Sequence, residues 1–183
     1  TPGVKAIIEG EASGFKLPAG TAVFMQSDTR NYEGMPERRK IEDVAGLAAG
    51  MPVTAALPGG GYAAITEAAL FNYSGMTLAG AADNSFGAAF LDDKTWSGRP
   101  GADGLVKSPW RVVISADDLN GLVNSDVIFN LNDPPDPELF ADADKWIKPG
   151  RALWSWWAEG TGTFDLQMKY IDAASEMGFE YIL

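Results

Sequence analysis

Apolar residues along the first two thirds of the chain come in short runs cut by glycine, proline and aspartate. Val4–Glu9, Phe15–Leu17, Thr21–Gln26, Pro52–Leu57, Tyr62–Glu67, Met76–Ala79, Phe86–Leu91, Trp110–Ile114 and Val127–Asn130 carry β-branched and aromatic residues between such breakers, which predicts strands. Gly59-Gly60-Gly61 is a turn between two of them, and Asp92 to Ser108 reads as a long polar loop. Arg38-Arg39-Lys40 reads as a solvated turn. Many short strands with frequent turns point to an antiparallel β-sandwich.

The pattern changes after Asn130. Asn132-Asp133-Pro134-Pro135-Asp136-Pro137 is a stiff connector. Arg151–Trp157 is a dense apolar run that predicts a strand, and Glu159–Thr163 is a polar loop. Phe164, Met168, Ile171, Ala174 and Met177 then recur at helical spacing, with Thr163 placed to cap the helix start and Gly178 to end it. Phe179–Leu183 predicts a last strand. A strand–helix–strand of about 30 residues has the size of one βαβ crossover. Parallel strands need neighbours on both faces and edges, so the chain is read as cut from a longer one. The expected division is a sandwich domain over residues 1–142 and an incomplete second domain over residues 143–183.

Composition narrows the chemistry. The 183 residues include no Cys and no His, which removes disulfides, thiolate nucleophiles, Cys/His zinc sites and a Ser-His-Asp triad within the chain. Acid–base work falls to Asp, Glu, Lys or Tyr, and a metal site must be built from oxygens, which favours hard ions such as calcium. A net charge of −11 repels phosphate and argues against nucleic acid as a partner. No apolar stretch approaches the roughly 20 residues of a bilayer-spanning helix, so no membrane partner is expected.

Several motifs are recognisable. The run from Trp146 to Trp157, which includes Lys148-Pro149-Gly150-Arg151 and Trp154-Ser155-Trp156-Trp157, resembles the opening of the catalytic barrel in glycoside hydrolase family 97. Tyr170 to Tyr181 resembles that barrel's first helix and second strand. Ile65-Thr66-Glu67-Ala68-Ala69-Leu70 with Tyr73-Ser74-Gly75-Met76, then Ser108-Pro109-Trp110-Arg111-Val112-Val113, then Asn130-Leu131-Asn132-Asp133-Pro134-Pro135, are similar to the family's N-terminal β-domain. Gly14-Phe15-Lys16-Leu17-Pro18 and Tyr32-Glu33 match more loosely.

The resemblance implies a mainly β chain: an antiparallel β-(super)sandwich followed by the truncated start of a (β/α)8 barrel. It implies part of an exo-acting, calcium-dependent α-glycosidase that hydrolyses terminal α-glucosyl or α-galactosyl residues of oligosaccharides. It further implies a bacterial periplasmic or secreted location, and a partner in the remaining part of the protein's own barrel. The family's catalytic carboxylates lie on later barrel strands, so no catalytic residue carries over. A Glu of the N-terminal domain ligates calcium in the family, and the motif match places that role on Glu67. It should be partly exposed here. Without the resemblance, Glu67 reads as an ordinary strand-end carboxylate bonded to its own turn. The alternative function is a non-catalytic β-sandwich that binds carbohydrate or a partner.

Other side chains bear on a sugar site. Glycoside hydrolysis needs two carboxyl groups, presented in a barrel by loops at the C-terminal strand ends. Glu159 is eligible by position, although a solvated loop Glu explains it as well. Glu33 reads as a turn residue, and Asp133, Asp136, Asp142 and Asp144 lack the spacing of a calcium loop. Sugar C–H groups stack on aromatic faces, which makes Trp154 and Trp156, sharing one side of a strand by alternation, candidate substrate-binding walls. Trp96 and Trp110 read as sandwich packing or interface residues.

Overall fold

The computed structural model describes residues 6–31, 33–91, 96–98, 100 and 104–183. The chain divides into two compact units, Thr1–Asp133 and Pro134–Leu183.

The first unit holds β1 (Ala6–Ile8), β2 (Gly14–Lys16), β3 (Ala22–Gln26), β4 (Glu37–Lys40), β5 (Ala48–Ala56), β6 (Tyr62–Ala68), β7 (Met76–Ala81), β8 (Ser85–Phe90), β9 (Trp96–Gly98) and β10 (Trp110–Ala116). Two short helices follow, α1 (Leu119–Val123) and α2 (Val127–Asn130). Every strand pairing in this unit is antiparallel. Strand β5 is shared between two sheets. Its first residues, Ala48 and Ala49, pair with β7, which continues to β8 and β2. Its later residues pair with β3 on one edge and with β6 on the other, and β6 carries β10. Pro52 falls between these two segments, where a missing N–H does least harm to the ladders. A strand that leaves one sheet for the other is how a sandwich turns its corner.

Period-2 alternation explains the core. Val23 and Met25 of β3, Val53 and Ala55 of β5, and Ala63 and Ile65 of β6 point inward and are buried, with Leu78 of β7 and Phe86 of β8 opposite. The glycine turn after β5 is as expected: Gly60 and Gly61 have φ of 94° and 80°, which side chains rarely adopt. Leu57 N–H donates to the Gly61 carbonyl at 3.0 Å and closes that hairpin.

The structure departs from the sequence expectation in several places. Arg38-Arg39-Lys40 is an exposed strand rather than a turn, and among the described residues β4 pairs with β3 alone. Charged side chains on an edge strand discourage pairing with other chains, and they hide it from a pattern search for apolar alternation. Val127–Asn130 is helix α2, not a strand, because Asn130 and Leu131 N–H bond back to Asp126 and Val127 carbonyls. A four-residue apolar run does not by itself distinguish the two states. Trp110 is 58% exposed, which removes sandwich packing from its two expected roles and leaves that of an interface residue untested. Of the expected loop from Asp92, the segment Trp96–Gly98 is β9, paired with β1. Residues 92–95, 99 and 101–103, the start of the Val4–Glu9 strand, Tyr32, and the Trp96 side chain lie outside the described residues.

The second unit holds α3 (Ala143–Trp146), β11 (Ala152–Leu153), α4 (Trp156–Glu159), α5 (Phe164–Glu176) and β12 (Tyr181–Ile182). The two strands are parallel, with Ala152 opposite Tyr181 and Leu153 opposite Ile182. Thr163 caps α5 by accepting the Leu166 N–H at 3.3 Å, and Gly178 follows its end with φ of 66°. The expected strand through Trp157 stops at Leu153. Ser155 N–H still reaches the Leu183 carbonyl, but the Ser155 carbonyl accepts from Ala158 and Glu159 and starts α4. Among the described residues of this unit only Ser155 and Ala174 are fully buried, while Trp156, Trp157 and Phe164 are more than half exposed.

Candidate functional site

Glu67 lies near the end of β6, continuing the inward row of Ala63 and Ile65. The β10 register sets Arg111 directly opposite it. Residues opposite one another in an antiparallel ladder project to the same face, so the two side chains meet. Arg111 NH1 donates to Glu67 Oε2 at 2.5 Å. Its Nε donates to Glu11 Oε1 at 2.5 Å, and its NH2 donates to Glu11 Oε2. Glu11 comes from the link between β1 and β2. The side chains of Arg111, Glu11 and Glu67 are only 11%, 13% and 12% exposed.

Glu67 has a second partner across the sandwich. Met76, first residue of β7, donates its N–H to Oε1 and Oε2 at 3.2 and 3.3 Å. The carboxylate therefore joins the two sheets. Tyr73, in the loop before Met76, stands with its ring 5.8 Å from the Arg111 guanidinium carbon and edge-on to Phe90. Hydrogen bonding from Arg111 holds the Glu11 carboxyl below its usual range, although burial opposes this. Burial is the largest influence on Arg111 and works against its charge, yet the two carboxylates raise it above the ordinary arginine value.

The same loop is tied from the other side. Ala69, directly after β6, has φ of 53°, an uncommon conformation for a residue with a side chain. Its N–H donates to Asn132 Oδ1 at 3.1 Å, and Asn132 Nδ2 donates to the Ile128 carbonyl at 2.6 Å. The three motifs around Glu67, Arg111 and Asn132 thus converge in space. Glu67 lines a cavity of about 400 Å³ with Thr29, Thr66, Leu70, Met76 and Thr77.

Calcium takes six to eight oxygens. Among the described residues no group of three or more acidic side chains converges. Glu67 is an oxygen donor lining a cavity, but its carboxylate already accepts from Arg111 NH1 and the Met76 N–H. These residues do not form a complete calcium site. Glu67 is partly exposed, as expected, with most of its side chain drawn inward by Arg111 and Met76.

Trp154 and Trp156 lie in the second unit. They do not alternate on a strand, since Trp156 opens α4, yet both line one cavity of about 480 Å³ with Ser155, Thr161, Gln167 and Leu183. Trp154 is 45% exposed and Trp156 56%, and Trp154 leans on Trp157 with ring centres 4.8 Å apart. Gln167 Nε2 donates to Ser155 Oγ at 3.1 Å and to the Thr161 carbonyl at 2.8 Å, fastening the loop before α5 to the strand end. Glu159, Glu33, Asp133, Asp136, Asp142 and Asp144 are exposed. Asp136 Oδ1 accepts from Glu138 and Leu139 N–H, and Asp142 pairs with Lys145.

Arg111, Glu11, Asn132 and Gln167 were not singled out from sequence. No local signal marked Arg111: it alternates with the exposed Val113 and Ser115, and the buried Val112 has the opposite parity. For Glu11, in a link between strands, no such signal exists.

Residues 1–134 match the model of the glycosyl-hydrolase 97 N-terminal domain. A probable retaining alpha-galactosidase of Streptomyces bingchenggensis is 28% identical over 179 residues, covering 95% of this chain and 26% of that protein. A glycoside hydrolase family 97 enzyme from Pseudoalteromonas sp. strain K8, solved with acarbose, superposes with a TM-score of 0.72 at 23% identity, covering 100% of this chain and 29% of that one. A beta-arabinopyranosidase superposes with a TM-score of 0.69 at 24% identity, covering 93% of this chain and 30% of its own. The chain thus spans about a quarter to a third of these relatives. With the domain match running over most of its length and its three β-domain motifs gathered at one site, the chain belongs to the glycoside hydrolase 97 family.

Proposed function

We propose that this chain is part of an exo-acting α-glycosidase that removes terminal α-galactosyl or α-glucosyl residues from oligosaccharides. The observation that carries this reading is the match of residues 1–134 to the family's N-terminal domain, followed in sequence by a parallel strand–helix–strand. In this reading that unit opens a (β/α)8 barrel. Its exposed apolar side chains are covered by further barrel elements, and the catalytic carboxylates come from those elements. Trp154 and Trp156 form a wall of the sugar site, since they border a cavity beyond the C-terminal ends of both strands. Glu67 gives one carboxylate to a calcium ion whose other ligands lie outside this chain. The enzyme works in the periplasm or outside a bacterial cell.

The relatives support both sugars: the Streptomyces relative is described as an alpha-galactosidase, and the Pseudoalteromonas enzyme was solved with acarbose and with panose. The test is release of p-nitrophenol from α-galactoside, α-glucoside and β-arabinopyranoside substrates by the whole protein, before and after calcium chelation. Turnover of an α-glycoside, lost on chelation, is expected, and the 183-residue chain alone should show none. Absence of turnover on both α-glycosides overturns the reading.

A further inference from the structure

Ser155 is the pivot of the second unit. Its N–H bonds the Leu183 carbonyl at 3.1 Å and so extends the parallel pair, while its own carbonyl accepts from Ala158 and Glu159 and starts α4. Trp154 lies just before this turn and Trp156 just after it. The turn at Ser155 therefore sets where both indoles stand beside their shared cavity.

The side chain of Ser155 makes a second set of bonds. The residue is 3% exposed, and a buried hydroxyl needs partners. Its one proton has the Leu183 and Gly160 carbonyls within reach, at 3.3 and 3.4 Å, and its oxygen accepts from Gln167 Nε2 at 3.1 Å. The other amide hydrogen of Gln167 goes to the Thr161 carbonyl at 2.8 Å. Only the nitrogen of the amide can serve a carbonyl, so the Thr161 bond fixes which way the side chain lies. Gln167 belongs to α5, a 13-residue helix whose start is capped by Thr163. One helix side chain thus joins the strand end to the loop before α5. Main-chain bonds already close the strand end and start α4. What the Ser155–Gln167 link adds is a fixed placement of loop, strand end and helix relative to one another.

We propose that Gln167 and Ser155 form a latch that positions the Trp154–Trp156 wall, so that a terminal sugar meets a preformed surface. This rests on the reading of the two tryptophans as a substrate wall. Both latch residues are positioning residues, since neither brings a carboxylate to the reaction. A wall that is in place only part of the time weakens ground state and transition state alike, so losing the latch raises KM and spares kcat. Loss of a merely structural bond acts the other way: it lowers the folded fraction and with it the apparent kcat, and leaves KM of the folded molecules unchanged.

The experiment is steady-state hydrolysis of p-nitrophenyl α-galactoside or α-glucoside, whichever is turned over faster, by the whole protein, with kcat and KM read separately. Wild type, Trp156→Ala, Gln167→Leu, Gln167→Lys and Ser155→Ala are compared. Gln167 is partly exposed on a helix, and Gln167→Leu is expected to fold. It removes both donated bonds at similar size and should raise KM about 10-fold while kcat stays within about 2-fold. Gln167→Lys keeps N–H donors and should recover part of that loss. Ser155→Ala should raise KM by a smaller factor, since Gln167 still holds Thr161. Trp156→Ala removes part of the wall itself and should raise KM at least as much as Gln167→Leu. An unchanged KM in Gln167→Leu, or a fall in kcat alone, with Trp156→Ala still raising KM, overturns the latch and spares the wall. An unchanged KM in Trp156→Ala, or no turnover by wild type, overturns both. If Ser155→Ala does not fold, the two Gln167 variants decide by the same criterion.

Discussion

Glu67 and Arg111 stand opposite one another in the β6–β10 ladder, and each belongs to a different one of the family's motifs. The ladder register brings the two together, and the Met76 N–H binds the same carboxylate from the other sheet. A single glutamate thus links the two sheets.

Coupling between these two residues should be measurable as stability. Arg111→Met leaves Glu11 and Glu67 buried side by side with like charge, and should cost about 3 kcal/mol in denaturant unfolding. Glu67→Gln should cost less, because the amide keeps the shape and Arg111 keeps Glu11. The double variant should differ from the sum of the singles by about 1 kcal/mol or more. Simple additivity would show that the pair does not interact.

Gly80→Ala should be poorly tolerated. A Cβ at this position would lie 2.0 Å from the Val44 carbonyl oxygen. The backbone has little room to yield, since the Gly80 carbonyl accepts from Gly46 and its N–H donates to Leu47. The expected cost is about 2 kcal/mol by equilibrium unfolding, and a change under 0.5 kcal/mol would show that the strand can move aside.

Asn132→Ala should free the loop that begins at Ala69. The lost bonds to Ala69 N–H and the Ile128 carbonyl predict a cost of about 1–2 kcal/mol. Amide exchange should speed up at Ala69 while the β6 ladder residues Ile65 and Thr66 keep their protection. Equal acceleration across β6 would mean that Asn132 supports the whole sandwich rather than this loop.

Glu180 ties β12 to the start of β11. It accepts from the Arg151 side chain and from the Arg151 backbone N–H at 2.7 Å, and these bonds lower its carboxyl from 4.5 to about 2. A depressed carboxyl contributes stability that is fully present above its unfolded value near 4.5 and is lost as pH falls toward about 2. An NMR titration of the Glu180 carboxyl should place its midpoint near 2 in the wild type, and Arg151→Gln should return it toward 4.5. A wild-type midpoint near 4.5 would remove Glu180 from this role.

Local features were legible in the chain itself. Alternation in Thr21–Gln26 and Tyr62–Glu67, the Gly59–Gly61 turn, the Thr163 cap and the Gly178 stop each depend on residues a few positions apart, so near-neighbour chemistry determines them. The parallel strand–helix–strand followed from the same kind of pattern. Tertiary structure decided the rest. Glu37–Lys40 is a strand through its pairing with the edge of β3, and Val127–Asn130 is a helix through backbone bonds back to Asp126 and Val127. Trp154 and Trp156 share a cavity through a turn at Ser155, not through the alternation of a strand. Above all, Glu67 and Arg111 are 44 residues apart and Arg111 and Glu11 are 100 apart. Which carboxylate an arginine finds is set by ladder register and by the way two sheets fold onto one another, and neither is a property of any local stretch of sequence.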